Sequence, residues 1–211
     1  MHSILIHTDG GASPNPGPGG WGLTCSVDGA HRLDLQGSDP DTTNNRMELS
    51  AFIEALRLGA QLLGEKTDST LEIVSDSRYV LEGAQHYLKR WIAKGFVGVK
   101  NPDLWRQVAD LLREIDSSRL TVRWVKGHAG EPGNERADAL ATEARLKQLG
   151  AHTPHRSSAA DTAESSDVVV ENTTAVDLPA DIVERLMLVA EARGLTLAEL
   201  LLDAVVDLIT T

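Results

Sequence analysis

Apolar positions along the first 150 residues change period several times, and each change marks an element. Ile4-Leu5-Ile6 is a short run of the length and type of a buried strand. Gly20 to Val27 and Arg32 to Gln36 read as two further strands, parted by the turn-forming pair Asp28-Gly29. From Thr43 the period lengthens. Met47, Ala51, Ala55 and Leu58, beside Leu49, Phe52 and Leu56, recur at helical spacing. Leu71 to Ser75 is a fourth strand, a helical region follows to about Ala93, and residues 94–100 form a glycine-rich loop. Leu104, Val108, Leu111, Leu112 and Ile115 mark a helix that opens at Asn101-Pro102-Asp103. Leu120, Val122 and Trp124 alternate as a fifth strand, and a last helix runs from near Asn134 to Leu149. This order predicts an α/β domain with a mixed sheet and helical layers.

Beyond residue 149 the pattern lapses. Residues 150–171 are rich in Ala, Ser, Thr and acids and read as a flexible linker. Residues 172–211 form a small module. It has a short strand at Val176 to Leu178 and a helix with Ile182, Val183, Leu186 and Met187 on one face, ended by Gly194. A second helix opens on the capping box Thr196 to Glu199 and carries Leu200, Leu201, Val205 and Leu208. About 40 residues cannot bury that much apolar surface alone, so this module is expected to pair with a second copy or to dock as a helical hairpin.

Net charge is −11 over 211 residues, which would argue against a nucleic-acid partner if it were evenly spread. It is not: residues 1–149 carry −3 and residues 150–211 carry −8. Charge therefore leaves a polyanionic substrate open to the first unit. The N-terminus lacks a signal-peptide pattern and no apolar run approaches a membrane span. A single cysteine, Cys25, offers neither a disulfide nor a thiolate cage. A cytoplasmic protein without membrane contact is expected.

Four acids stand where elements begin or end: Asp9 before Gly10-Gly11, Asp76 after the fourth strand, Glu48 and Asp138 in the first turns of helices. Singly, each has an ordinary explanation in a turn or a helix dipole. Together at adjacent strand ends they would make an all-oxygen cluster, where function gathers in α/β sheets. Like charges within about 4 Å repel by several kcal/mol at reduced dielectric, so such a cluster calls for hard divalent cations. Two such ions suit phosphodiester hydrolysis. His128, between Gly127 and Gly130, sits on a loop free to swing, and imidazole titrates near neutrality. The other six histidines, His7 among them, are expected to be exposed and without a role.

The blocks around these residues carry a resemblance. They are His7-Thr8-Asp9-Gly10-Gly11, Asn15 to Gly22 (NPGPGGWG), Thr42 to Leu49 (TTNNRMEL), Ser75 to Val80 (SDSRYV), Asn101 to Trp105 (NPDLW) and Trp124 to Gly130 (WVKGHAG), the last followed by Asn134 to Asp138 (NERAD). In this order the chain resembles type 1 ribonuclease H of the bacterial kind. The resemblance implies a five-stranded mixed sheet flanked by helices, and hydrolysis of the RNA strand of RNA–DNA hybrids to 5′-phosphate and 3′-hydroxyl ends. It implies Asp9, Glu48, Asp76 and Asp138 as ligands of two Mg²⁺ ions, with Mn²⁺ as an alternative, and His128 as a proton-transfer group. It also implies substrate contacts at Asn15, Thr43, Asn44 and Asn45, and a basic handle here built from Lys89, Arg90, Trp91 and Lys94. The handle is shorter and less basic than the family's fuller versions, and Ala12 replaces a frequent cysteine. The catalytic unit is expected to be monomeric. Residues 172–211 resemble, less specifically, a ribbon–helix–helix dimer, whose strand here has no Lys or Arg for DNA and so favours homodimerisation. A non-catalytic hybrid-binding module and another nuclease of the same fold are the competing readings.

Overall fold

The computed structural model describes residues 2–65 and 68–151. The first strand, β1 (His2–Ala12), pairs antiparallel with β2 (Gly17–Val27), and β2 with β3 (Ala30–Thr42). Helix α1 (Asn44–Glu65) then crosses to β4 (Ser69–Ser75), parallel to β1. After α2 (Arg78–Glu82), a π-helical turn (Gly83–Tyr87), α3 (Leu88–Ala93) and α4 (Pro102–Glu114), strand β5 (Leu120–Trp124) joins β4 in parallel. Helix α5 (Pro132–Ala151) closes the unit. The sheet order is β3-β2-β1-β4-β5, the mixed five-stranded arrangement the sequence predicts.

Several extents differ from the expectation. β1 runs on through Asp9 to Ala12, because β2 continues to pair with it after β4 has ended; Asp9 therefore lies inside the strand. β3 is 13 residues long, and its exposed edge position hides the alternation that would have announced it. The region before residue 94 is three helical pieces rather than one, and α5 extends two residues past the expected boundary at 149. The remaining linker residues and the module over 172–211, with its dimerisation, lie outside the described residues.

Alternation along β1 divides the sheet's two faces. Ile4 and Ile6 are buried on one side together with α1 residues Phe52, Ala55 and Leu56. The opposite side is covered by α5, and two glycines of β2 set how closely. A Cβ at Gly20 would run into the backbone of Ala141, and one at Gly22 would stand 2.5 Å from the Ala137 carbonyl oxygen. With no side-chain layer between them, α5 lies backbone against strand, and Gly22 is the partner of Asp9 in the ladder. The turn between β2 and β3 places both Asp28 (φ 54°) and Gly29 (φ 79°) in the left-handed region, as a tight hairpin of matching twist requires.

Trp105 is fully buried, as expected for a core residue, and Tyr79 Oη accepts its indole N–H at 2.9 Å. No described helix is long and apolar enough to cross a membrane.

Candidate metal centre

The last parallel pair between β1 and β4 is Thr8 with Ser75, so Asp9 and Asp76 take the next rung. α1 begins at Asn44, one turn before Glu48, and brings that carboxylate over the same strand ends. One carboxylate oxygen from each of Asp9, Glu48 and Asp76 lies within 4.8 Å of the others, close enough to share a cation. Asp138, on α5, lines one cleft with Asp9 and acts on it electrostatically. The structure thus brings together all four acids singled out in the sequence.

Their electrostatics are those of a site built for positive charge. Burial first, then the neighbouring Asp76, raise the Asp9 carboxyl from 3.8 to about 7, and Asp138 adds to the effect. The Gly10 N–H, which donates to Asp9 Oδ1 at 2.7 Å, only partly opposes this. Glu48 is held well above the usual carboxylate range by burial and by Asp9 and Asp76. Its Oε2 is buried without a hydrogen-bond partner among the described residues. A carboxylate clustered with two others and left with an orphaned oxygen fits a divalent cation, which takes oxygen ligands and removes the repulsion.

The sign of the pH effect follows. A carboxyl whose folded pKa is raised stabilises the fold below its ordinary pKa and loses that contribution as pH rises through the raised value. The metal-free chain is therefore expected to lose stability between about pH 4 and pH 7 through Asp9. Saturating Mg²⁺ should reverse the loss, and its affinity should climb over the same range as it displaces protons. Thermal melts with chelator and with Mg²⁺ at pH 5, 6, 7 and 8 check this; a melting temperature of the chelated chain that rises through the range would refute it.

Asp76 is further supported by Asn134, whose Nδ2 donates to Oδ2 at 3.4 Å, and by the Trp124 indole N–H, which donates to the Asp76 carbonyl at 2.9 Å. The Arg78 guanidinium stacks over that indole at 4.5 Å. Neither Trp124 nor Asn134 was assigned a role from the sequence. Both stand inside quoted blocks, which was the available signal. His128 is exposed on the loop between β5 and α5, in left-handed backbone (φ 53°). Gly127 lies against the Asp76 carboxylate, so the loop passes directly over the acids.

The expected substrate contacts fall in two places. Asn15, Thr43 and Asn44 meet at the start of α1: Asn44 N–H donates to Asn15 Oδ1 at 3.3 Å, Ala12 N–H donates to Asn44 Oδ1 at 2.6 Å, and Thr43 Oγ1 accepts from Arg46 N–H at 3.4 Å. Asn45 is exposed beside them. A cleft of about 240 Å³ runs here from Asp9 and Asp138 past Asn44 and Ser13 to Arg145. Lys89, Arg90 and Trp91 lie elsewhere, on α3, with Lys94 just after it. The two basic residues on α3 and Lys94 are exposed, while Trp91 stacks on Tyr87 (centroids 5.7 Å) and meets Trp105 edge-on (5.0 Å).

His7 departs from expectation. It is 6% exposed, on the face of β1 covered by α5, where it hydrogen-bonds Glu131. His2 and His31 make surface pairs with Asp28 and Asp34.

A mixed sheet that gathers carboxylates at the ends of its central strands, beneath a glycine-flanked loop bearing an imidazole, defines a class: hydrolases built around a divalent-cation site. The comparisons with known proteins narrow it. The RNase H family model matches residues 1–145. Ribonuclease H of Maricaulis maris is 44% identical over 155 residues, covering 71% of this chain and 98% of that protein. Ribonuclease H of Thiobacillus denitrificans is 43% identical over 149 residues, covering 68% and 94%. Among solved structures, LC11-RNase H1 in complex with RNA/DNA hybrid is similar at 28% identity and a TM-score of 0.53, covering 69% of this chain and 99% of that one. The chain belongs to the RNase H family.

Proposed function

We propose that this protein is an endonuclease that hydrolyses the RNA strand of RNA–DNA hybrids, with Mg²⁺ as its cation. The observation that carries the reading is the trio Asp9, Glu48 and Asp76 within 4.8 Å, one oxygen of Glu48 buried and unpartnered. Family membership and the hybrid complex of a similar enzyme support it. Bound divalent cations would supply activation of the attacking water and charge stabilisation at the leaving 3′ oxygen.

The chain's own residues do the rest. Asp9, Glu48, Asp76 and Asp138 would hold the ions, with Asn134 and Trp124 fixing Asp76 by hydrogen bonds to its carboxylate and its carbonyl. His128 transfers the proton lost by the water or gained by the leaving oxygen. With their carbonyl oxygens already taken by backbone N–H groups, Asn15 and Asn44 keep their side-chain N–H donors for a DNA phosphate, beside Thr43. Asn45 reaches for the minor groove. Lys89, Arg90 and Lys94 attract the DNA strand and Trp91 offers a flat face to a sugar. The test is cleavage of a labelled hybrid with and without Mg²⁺, beside RNA and DNA duplexes; comparable cutting of the DNA duplex overturns the reading.

The single cysteine, buried and free, supports a reducing, cytoplasmic setting. From the sequence of residues 172–211 we also infer homodimerisation. The full chain is expected to sediment as a dimer and residues 1–150 as a monomer that keeps its activity. A monomeric full chain at micromolar concentration would refute this.

A further inference from the structure

We propose that His7 and Glu131 form a tie, buried at its histidine end, that positions the His128 loop, making both of them positioning residues for proton transfer. The proposal rests on the role given to His128 above.

The loop from Val125 to Glu131 packs at Gly127 on the Asp76 carboxylate and is hydrogen-bonded to the rest of the fold at its two ends. At the first, Val125 N–H donates to the Ser75 carbonyl at 3.1 Å. Among the described residues, Lys126 to Gly130 make no side-chain hydrogen bond, and His128 and Gly130 both have positive φ (53° and 83°). Such a path is specified by what holds its ends. The second end is Glu131, three residues after His128, whose Oε1 lies 3.2 Å from His7 Nε2. Arg123 Nη2 is 3.9 Å from the same oxygen, and Arg123 is itself paired with Glu72. The Glu131 carbonyl accepts from Glu135 N–H at 3.0 Å, so this residue also starts α5.

His7 is fixed in turn. It stands on β1 between Thr24 and Val74 of the flanking strands. Gly133 covers its ring so closely that a Cβ there would overlap the imidazole. Among the described residues, this polar ring sealed under a glycine has one side-chain hydrogen-bond partner, Glu131. The hydrogen bond thus refers the loop's far end to the strand that carries Asp9, and together with the packing of Gly127 on Asp76 it sets how His128 stands over the carboxylates. Nothing in the chemistry of the carboxylates themselves requires His7.

The test is epistasis. His7→Phe and Glu131→Ala are made singly, together, and each in the His128→Ala background, and Mg²⁺-dependent cleavage of a labelled hybrid is followed at steady state. Each single change should lower kcat about 10-fold, the scale for a slightly misplaced catalytic group, with KM unchanged. The double variant should be no worse than either single one. In the His128→Ala background, His7→Phe and Glu131→Ala should each cost less than 2-fold more. Glu131→Gln, which keeps an acceptor for His7, should retain most of the wild-type kcat. An undiminished 10-fold loss in the His128→Ala background overturns the proposal, as does equal loss from Glu131→Gln and Glu131→Ala, or unchanged kcat in the single variants. If His7→Phe fails to fold, the Glu131 series decides alone. A wild-type chain that leaves the hybrid uncut refutes the proposed function instead.

Discussion

Replacing Asp9 or Asp76 by Asn should reduce hybrid cleavage to background while leaving the chain folded. Asn is nearly isosteric but brings no charge, and each change takes one ligand from a trio whose oxygens lie within 4.8 Å. The same substitution at Asp9 relieves the repulsion that pushes its carboxyl up to about 7. The metal-free Asp9→Asn chain should therefore melt at a higher temperature than the wild type at pH 8, with the difference shrinking towards pH 4. Calorimetry should find Mg²⁺ binding weakened in step with activity. Near-normal cleavage by either variant in Mg²⁺ would remove that residue from the ligand set. A lower melting temperature for metal-free Asp9→Asn at pH 8 would refute the repulsive cluster.

His128→Ala should slow turnover by roughly 10²-fold, the scale of a lost general acid–base. Hybrid binding should change little, because the side chain is exposed and makes no hydrogen bond among the described residues. Single-turnover rates with saturating enzyme separate the two effects. Collapse of binding with unchanged turnover of bound hybrid would make His128 a substrate contact instead.

Periodicity revealed every strand and most helices, because their apolar stripes face α1 or the sheet. It understated β1 and β3 for opposite reasons. β1 continues into Gly10-Gly11-Ala12, which has no pattern to read. β3 lies at an edge with hardly a buried position. The π-helical turn was invisible because Gly83 is pressed against Trp105, a contact 22 residues away that local spacing does not carry. The four acids were legible as a set only through their places at element ends and the family's blocks. His7 was misread because burial there depends on α5, which arrives 125 residues later with Gly133 over the ring. A histidine alternating with Ile4 and Ile6 looks outward until something covers that face.

Asp9 and Asp76 stand one rung past Thr8 and Ser75, so the gap between their backbones is the spacing of neighbouring strands, about 4.8 Å. The hydrogen-bond ladder acts as the site's ruler. Slipping β4 by a single residue would turn its whole side-chain set to the opposite face, a penalty borne by Leu71 and Ile73 in the core as well as by the acids. The spacing of this pair is therefore as durable as the sheet and should vanish on heating only when the sheet itself melts. Glu48 and Asp138 ride on helices packed against that sheet, whereas His128 rides on a loop, so warming should detune the proton-transfer half of the site while its cation half still keeps its dimensions.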